Sequence, residues 1–225
     1  MASSKSVLSS VWAKLAILVV VVVIAAASWW ASRGGTSDSG AKSGSGTGAS
    51  TAQASTALTQ LDKLTVAAEE KVNYNREDWP HWIGQGKGCD TREVALKNQG
   101  TDVKTDDKCR AVSGTWVSAY DGVVIKDAGE TDLDHVVPLA EAARSGTSKW
   151  TKEQRKNFAN DLDQLQVVSA RSNRQKGDQD PAHWLPEKDQ CAYTIKWVAT
   201  KTKYKLTIDQ AEHDAIKKVL TGCAK

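Results

Sequence analysis

Asp134 and His135 are adjacent in the stretch "DLDHVVPLAEA" and are the residues most suited to chemistry. Strand alternation predicts that their side chains lie on opposite faces, and Pro138 then ends the strand. A neutral imidazole can take a proton from water near neutral pH, and a carboxylate oxygen suits a hard divalent cation. The pair indicates acid–base or metal chemistry, although a single histidine of this kind is more often a hydrogen-bonded structural residue.

A second polar stretch lies further along the chain. "QLQVVSA" has strand composition, and "RSNRQKG" predicts a short helix that carries Asn173 and ends at Gly177. The order of elements along the chain is that of a ββα-metal finger: a strand with Asp-His, a connection, a second strand and a helix with Asn. The pieces "SGTW", "AYDG", "LDHVVPLAEAARSG" and "FANDLDQLQVVSARSNRQKGDQDPAHWLP" extend the match over most of the domain. The chain therefore resembles the secreted bacterial HNH endonucleases, which have a His-Me finger core.

The resemblance implies roles for particular residues. His135 matches the general base, which would take a proton from the attacking water. Asp134 and Asn173 match the two protein ligands of one divalent metal ion, for which Mg²⁺ is expected first and Mn²⁺ or another divalent ion second. Such an ion would stabilise charge at the scissile phosphate and the leaving 3′ oxygen.

The middle position of the H-N-H pattern departs from the family. The family has an Asn that orients the base or fixes the finger loop, whereas this chain has Gln164 near that place and Asn160 as a nearby alternative. A glutamine can make the same amide hydrogen bonds from a longer side chain. We therefore expect the amide at this position to orient His135 or to fix the finger loop.

Contacts to a nucleic acid would have to come from local basic residues. Four of the 30 basic residues and one of the 27 acidic residues precede Leu58, so the remainder of the chain is formally neutral. A broadly basic face is therefore not expected. Arginine pairs with phosphate through two N–H groups and lysine adds a point charge, so the expected phosphate contacts are Arg144, Arg171, Arg174 and Lys176.

The elements that must position these residues indicate an α+β fold, with a ββα-metal core inside a mostly helical domain that has short β-hairpins. Helical periodicity is present at 56–73, from Thr151, and in two segments after Pro186. In "DTREVALKNQG", Asp90 is a candidate N-cap and Gly100 a candidate stop. Ser113-Gly114 and Asp121-Gly122 predict two hairpin turns.

The four cysteines predict two disulfides, because their number is even and an export signal precedes them. None lies in a close pair of the kind that zinc sites use. Three pairings are possible, and Cys89 with Cys109 and Cys191 with Cys223 is favoured because each closes a short segment.

The N-terminal part predicts export. Residues 15–32 form an uncharged run of 18 residues, which makes 1–32 a signal peptide or, as we favour, a single membrane anchor. Residues 33–57 are rich in Gly, Ser, Thr and Ala and predict a flexible linker, with the nuclease domain at 58–225. The expected location is extracytoplasmic, either anchored or secreted.

These observations favour a metal-dependent endonuclease that cuts DNA, with RNA as a further substrate class. Low sequence specificity is expected, since no helix-turn-helix or finger array is visible. A monomer is also expected. Two alternatives stay open. One is a weak or inactive surface-tethered binding module on the same fold, which Gln164 and the neutral charge favour mildly. The other is a toxin-like nuclease effector.

Overall fold

The computed structural model describes residues 49–225, which form an α+β domain and so confirm the expected fold class. Short antiparallel strands alternate with helices along the chain. The helices are α1 (Thr51–Leu61), α2 (Thr91–Gln99), α3 (Leu139–Arg144), α4 (Lys152–Ala159), α5 (Ala170–Lys176), α6 (Gln190–Tyr204) and α7 (Gln210–Cys223). The strands are β1 (Gly84–Gly86), β2 (Cys89–Asp90), β3 (Thr101–Thr105), β4 (Ala111–Val117), β5 (Val124–Ile125), β6 (Thr131–His135) and β7 (Leu165–Ser169).

A ββα unit carries the residues expected to do chemistry. Strands β6 and β7 pair antiparallel, with Asp134 opposite Gln166 and His135 opposite Leu165. Helix α5 follows β7 directly, because the Ser169 side chain caps its first turn, and it ends at Gly177, whose positive φ of 55° suits glycine. Residues 136–164, which contain α3 and α4, form the connection between the two strands.

The domain begins earlier than the sequence predicted. Helix α1 starts at Thr51, after a capping box formed by Ser50 and Gln53, so 51–57 are helical and are not part of a linker. Ala54 and Ala57 are fully buried in the main core, which explains why this alanine-rich turn is ordered. The predicted helix over 56–73 ends instead at Leu61.

The chain after α1 is extended because it pairs with another part of the molecule. Val66 forms a parallel bridge with Ile208, and the Ala67 N–H donates to the Ile208 carbonyl at 2.9 Å. A contact with a residue so distant in sequence overrides the local helical periodicity. The local sequence pattern therefore could not predict where this helix ends.

One of the two predicted hairpin turns is correct. The chain turns at Asp121-Gly122 between β4 and β5, where Gly122 has a φ of 74°. Ser113-Gly114, in contrast, lies inside β4, and the turn between β3 and β4 falls at residues 106–110. A Cβ on Gly114 would lie 2.8 Å from the Trp116 ring, so that glycine is required by packing and not by a turn.

Both disulfides have the pairing that sequence proximity predicted. Cys89 bonds to Cys109, and Cys191 bonds to Cys223. The second bond joins the start of α6 to the end of α7, which pack together with α1 around the larger core.

The predicted signal peptide or anchor at 1–32 lies outside the described residues. Within 49–225, no helix combines the length and the apolar character needed to cross a bilayer.

Candidate active site

A surface cavity of about 290 Å³ brings together three residues that the sequence singled out. Asp134 and His135 reach it from the end of β6, and Asn173 reaches it from α5. Tyr74 and Arg76, which the sequence did not single out, line the same cavity. The ββα order thus places these three residues on one cavity.

His135 has one ring nitrogen bonded to the protein and the other available as a base. Its Nε2 lies 2.8 Å from the Ala159 carbonyl oxygen, which can only accept, so Nε2 carries the proton and Nδ1 carries the lone pair. The imidazole stacks on the Trp82 ring with centroids 5.3 Å apart and planes 5° apart. Burial lowers the pKa of His135 to about 3, against the opposing effect of the Ala159 carbonyl. The imidazole is therefore neutral at ordinary pH.

Asp134 is buried and held by two donors from distant parts of the chain. The Tyr120 hydroxyl donates to Oδ2 at 2.5 Å, and the Lys176 ammonium lies 2.9 Å from Oδ2 and 3.1 Å from Oδ1. Burial raises the pKa of Asp134, while the positive charge of Lys176 opposes that rise. Burial and the nearby carboxylate raise the pKa of Tyr120 well above its usual value, so its hydroxyl remains a donor.

The donor set around the cavity fits a hard divalent cation. Oδ1 of Asp134 accepts one hydrogen bond and so keeps a lone pair. Asn173 donates through Nδ2 to Asp132 at 3.0 Å, which leaves its amide oxygen without a protein donor among residues 49–225. A carboxylate oxygen and an amide oxygen are the ligands that Mg²⁺ prefers. The Lys176 ammonium beside Asp134 is expected to weaken such binding, because it adds a like charge.

For two of the four residues expected to contact phosphate, the prediction is wrong, because their charged groups are bonded to acids of the protein. Lys176 is fully buried, and its ammonium is bonded to Asp134 and to the His135 carbonyl, so a phosphate cannot reach it. Arg144 is bonded to three carboxylates, those of Glu69, Glu141 and Asp178. Both cations neutralise acids within the protein.

Arg171 and Arg174, in contrast, are exposed on α5, beside Asn173. Neither forms an ion pair with any residue of the described range. They can reach a phosphate without losing a protein partner.

The side chains of the two amides considered for the middle position hold the finger loop and form no hydrogen bond with His135. Buried Gln164 donates to the Phe158 carbonyl at 2.8 Å. Asn160 donates to the Pro80 carbonyl at 2.8 Å and accepts from the Ile83 N–H at 3.0 Å. Asn160 thereby holds the segment that carries Trp82 against His135. Of the two roles considered from the sequence, this geometry corresponds to fixing the loop.

Besides Tyr74, sequence reasoning missed three residues that contact the site: Trp82, Arg76 and Tyr120. All three precede the ββα unit in the chain and belong to loops or short turns. The piece "AYDG" contained Tyr120 as part of the resemblance but gave no role to it. No local signal marked Arg76 or Trp82, because both reach the site only through the tertiary fold.

Comparisons with known proteins point to one family. The family model described as GmrSD restriction endonucleases, C-terminal domain, matches residues 90–219. A protein of Arthroderma benhamiae, described as an uncharacterized secreted protein, is 42% identical over 175 residues, which cover 76% of this chain and 86% of that protein. No solved structure matches the chain significantly.

Proposed function

This chain belongs to the family of the GmrSD restriction endonuclease C-terminal domains, which indicates a nuclease-type function, and from that premise we propose an HNH-type, metal-dependent endonuclease. The substrate is DNA, with RNA as a second class, and cleavage has little sequence preference. The observation that carries the proposal is the position of the neutral His135 imidazole. Its Nδ1 has no hydrogen-bond partner among residues 49–225, and the ring lines the same cavity as Asp134 and Asn173.

In the proposed reaction, Nδ1 of His135 takes a proton from a water molecule, and the resulting hydroxide attacks the phosphorus. The Ala159 carbonyl fixes the tautomer, because it holds the other ring proton on Nε2. The stacked Trp82 ring keeps the imidazole in one orientation. Attack breaks the bond to the 3′ oxygen, which leaves as a hydroxyl after it takes a proton from solvent.

Asp134 and Asn173 would hold one divalent ion, Mg²⁺ by preference, which when bound supplies positive charge beside the phosphate. Arg171 and Arg174 contact flanking phosphates from the exposed face of α5, without reading bases. Contacts of this kind explain why low sequence specificity is expected.

The two disulfides and the secreted relative indicate an extracellular location. We propose that residues 1–32 provide the export signal or a membrane anchor, and that the domain acts as a monomer.

The test is cleavage of plasmid and single-stranded DNA by the oxidised protein, with Mg²⁺, Mn²⁺ or EDTA. We expect metal-dependent nicking that falls by about 10²- to 10⁴-fold in His135→Ala, since that range is typical for loss of a general base. His135→Ala should keep metal affinity, measured by calorimetry, whereas Asp134→Ala should lose it. Equal metal affinity of the two variants would count against the assigned roles.

One observation favours a second function, a binding module with little or no catalysis. Lys176 already neutralises Asp134, so the strongest expected metal ligand has a protein cation beside it. If the folded wild-type protein binds DNA but does not cut it in the presence of any divalent metal ion tested, this second function replaces the first.

A further inference from the structure

The wall of the cavity carries one basic side chain whose charge no acid in the described range neutralises. Arg76 lines the cavity together with Asp134, His135 and Asn173, and it is exposed. It forms no ion pair with any residue of 49–225, unlike the buried Lys176. Arg76 also precedes residues 90–219, so the family match assigns nothing to it.

The guanidinium of Arg76 is held in place by a local structure. The residue Arg76 begins a short 3₁₀ turn, Arg76–Asp78, which Asn75 caps through its side chain. The His81 Nδ1 donates to the Trp79 carbonyl at 2.8 Å, which leaves His81 Nε2 to accept from Arg76 Nη2 at 3.4 Å. These contacts fix one edge of the guanidinium. The Tyr74 hydroxyl also lies beside it, and no acid of the described residues forms an ion pair with it.

Arg76 is connected to the proposed base through two aromatic contacts. His81 packs edge-on against Trp82 with ring centroids 5.3 Å apart, and Trp82 stacks on His135. Arg76 also lines the same cavity as His135. Arg76 therefore lies beside the position where a phosphate would meet His135.

We propose that Arg76 is a catalytic residue whose guanidinium binds a non-bridging oxygen of the scissile phosphate. This inference rests on the proposed nuclease function. An arginine suits the task because its planar N–H groups match phosphate oxygens and it stays charged at all working pH values. A phosphate gains a charge-assisted hydrogen bond there without breaking an existing ion pair.

The experiment compares Arg76→Ala, Arg76→Lys and His81→Ala with the full-length wild-type protein on duplex DNA. Arg110→Ala is the matched control, because Arg110 is an exposed arginine paired with Asp106 on the β3–β4 hairpin. We expect kcat to fall by about 10²- to 10³-fold in Arg76→Ala, the range for loss of one donor to a developing charge. Arg76→Lys should recover part of the loss, and Arg110→Ala should match the wild type.

A binding measurement separates phosphate contact from a positioning role. In the His135→Ala background, the slope of log affinity for a duplex oligonucleotide against log salt should decrease in magnitude by about 0.9 when Arg76 becomes Ala. An unchanged slope would overturn the proposal. So would a fall in kcat for His81→Ala that equals the fall for Arg76→Ala, if Arg76→Lys also recovers none of the lost activity. If the wild type does not cut DNA, the nuclease function fails; if it cuts and Arg76→Ala cuts equally, only the role of Arg76 fails.

Discussion

At the scale of single residues, the charge of Asp134 is the central feature of the site. Its carboxylate is buried, yet Lys176 and Tyr120 supply donors to it, so the ionised form is tolerated. The same lysine donates to the His135 carbonyl at 2.9 Å. Lys176 thus fixes the backbone that bears both the proposed base and the proposed metal ligand.

Replacement of Lys176 by methionine should destabilise the protein by about 3–5 kcal/mol, since it leaves a buried carboxylate unpaired. Urea unfolding at neutral pH measures the effect. Lys217→Met is the matched control, because Lys217 and its partner Asp62 are each about half exposed, and it should cost less than about 1 kcal/mol. The double variant Asp134→Asn/Lys176→Met should recover part of the loss; no recovery would show that the ion pair is not the cause.

At the scale of elements, α1 depends on both its cap and its packing. The helix is short and would be marginal alone, but it packs against α6 and α7. Its buried positions Ala54, Ala57 and Leu61 are three and four residues apart, which places them on one face. The alanine-rich composition that indicated a linker is what allows the close approach of these helices.

A chain that begins at Leu58 should therefore be less stable than one that begins at residue 47. It lacks the Ser50 cap, which is worth about 1 kcal/mol, and the buried Ala54 and Ala57. We expect a loss of more than about 1 kcal/mol, measured by thermal or urea unfolding of the two chains. Equal midpoints would mean that the first two turns of α1 contribute nothing.

At the scale of the whole molecule, a buried ionic network joins three helices of the main core. The Lys201 ammonium on α6 lies 2.8 Å from Glu141 of α3 and 2.7 Å from Glu212 of α7. The Trp197 indole N–H also donates to Glu212. Burial raises the pKa of Glu212 to about 7, against the opposing charge of Lys201. Glu141 is itself fully buried.

The raised pKa of Glu212 predicts a pH dependence of stability. Between the ordinary carboxyl pKa of 4.5 and about 7, the folded state retains a proton that the unfolded state releases. Stability should therefore fall as pH rises through this window, and Glu212→Gln should reduce that fall. Urea unfolding at several pH values tests it, with the exposed Glu130→Gln as control. A slope unchanged by Glu212→Gln would contradict the assignment.

The sequence by itself determined the features that depend on neighbours along the chain. It placed Asp134 and His135 on opposite faces of a strand, because side chains alternate there. It located both ends of α2 at Asp90 and Gly100, the start of α4 near Thr151 and the end of α5 at Gly177, since such signals involve residues only a few positions apart. It also gave the disulfide pairing and the order of the ββα unit.

The tertiary structure decided which charges are free and which residues surround the base. Lys176 and Arg144 are cations in any reading of the sequence, but only the fold shows that acids within the protein neutralise them. Arg76 and Trp82 reach His135 from a segment more than 50 residues earlier in the chain. Such contacts depend on the packing of distant segments, and local periodicity carries no information about them.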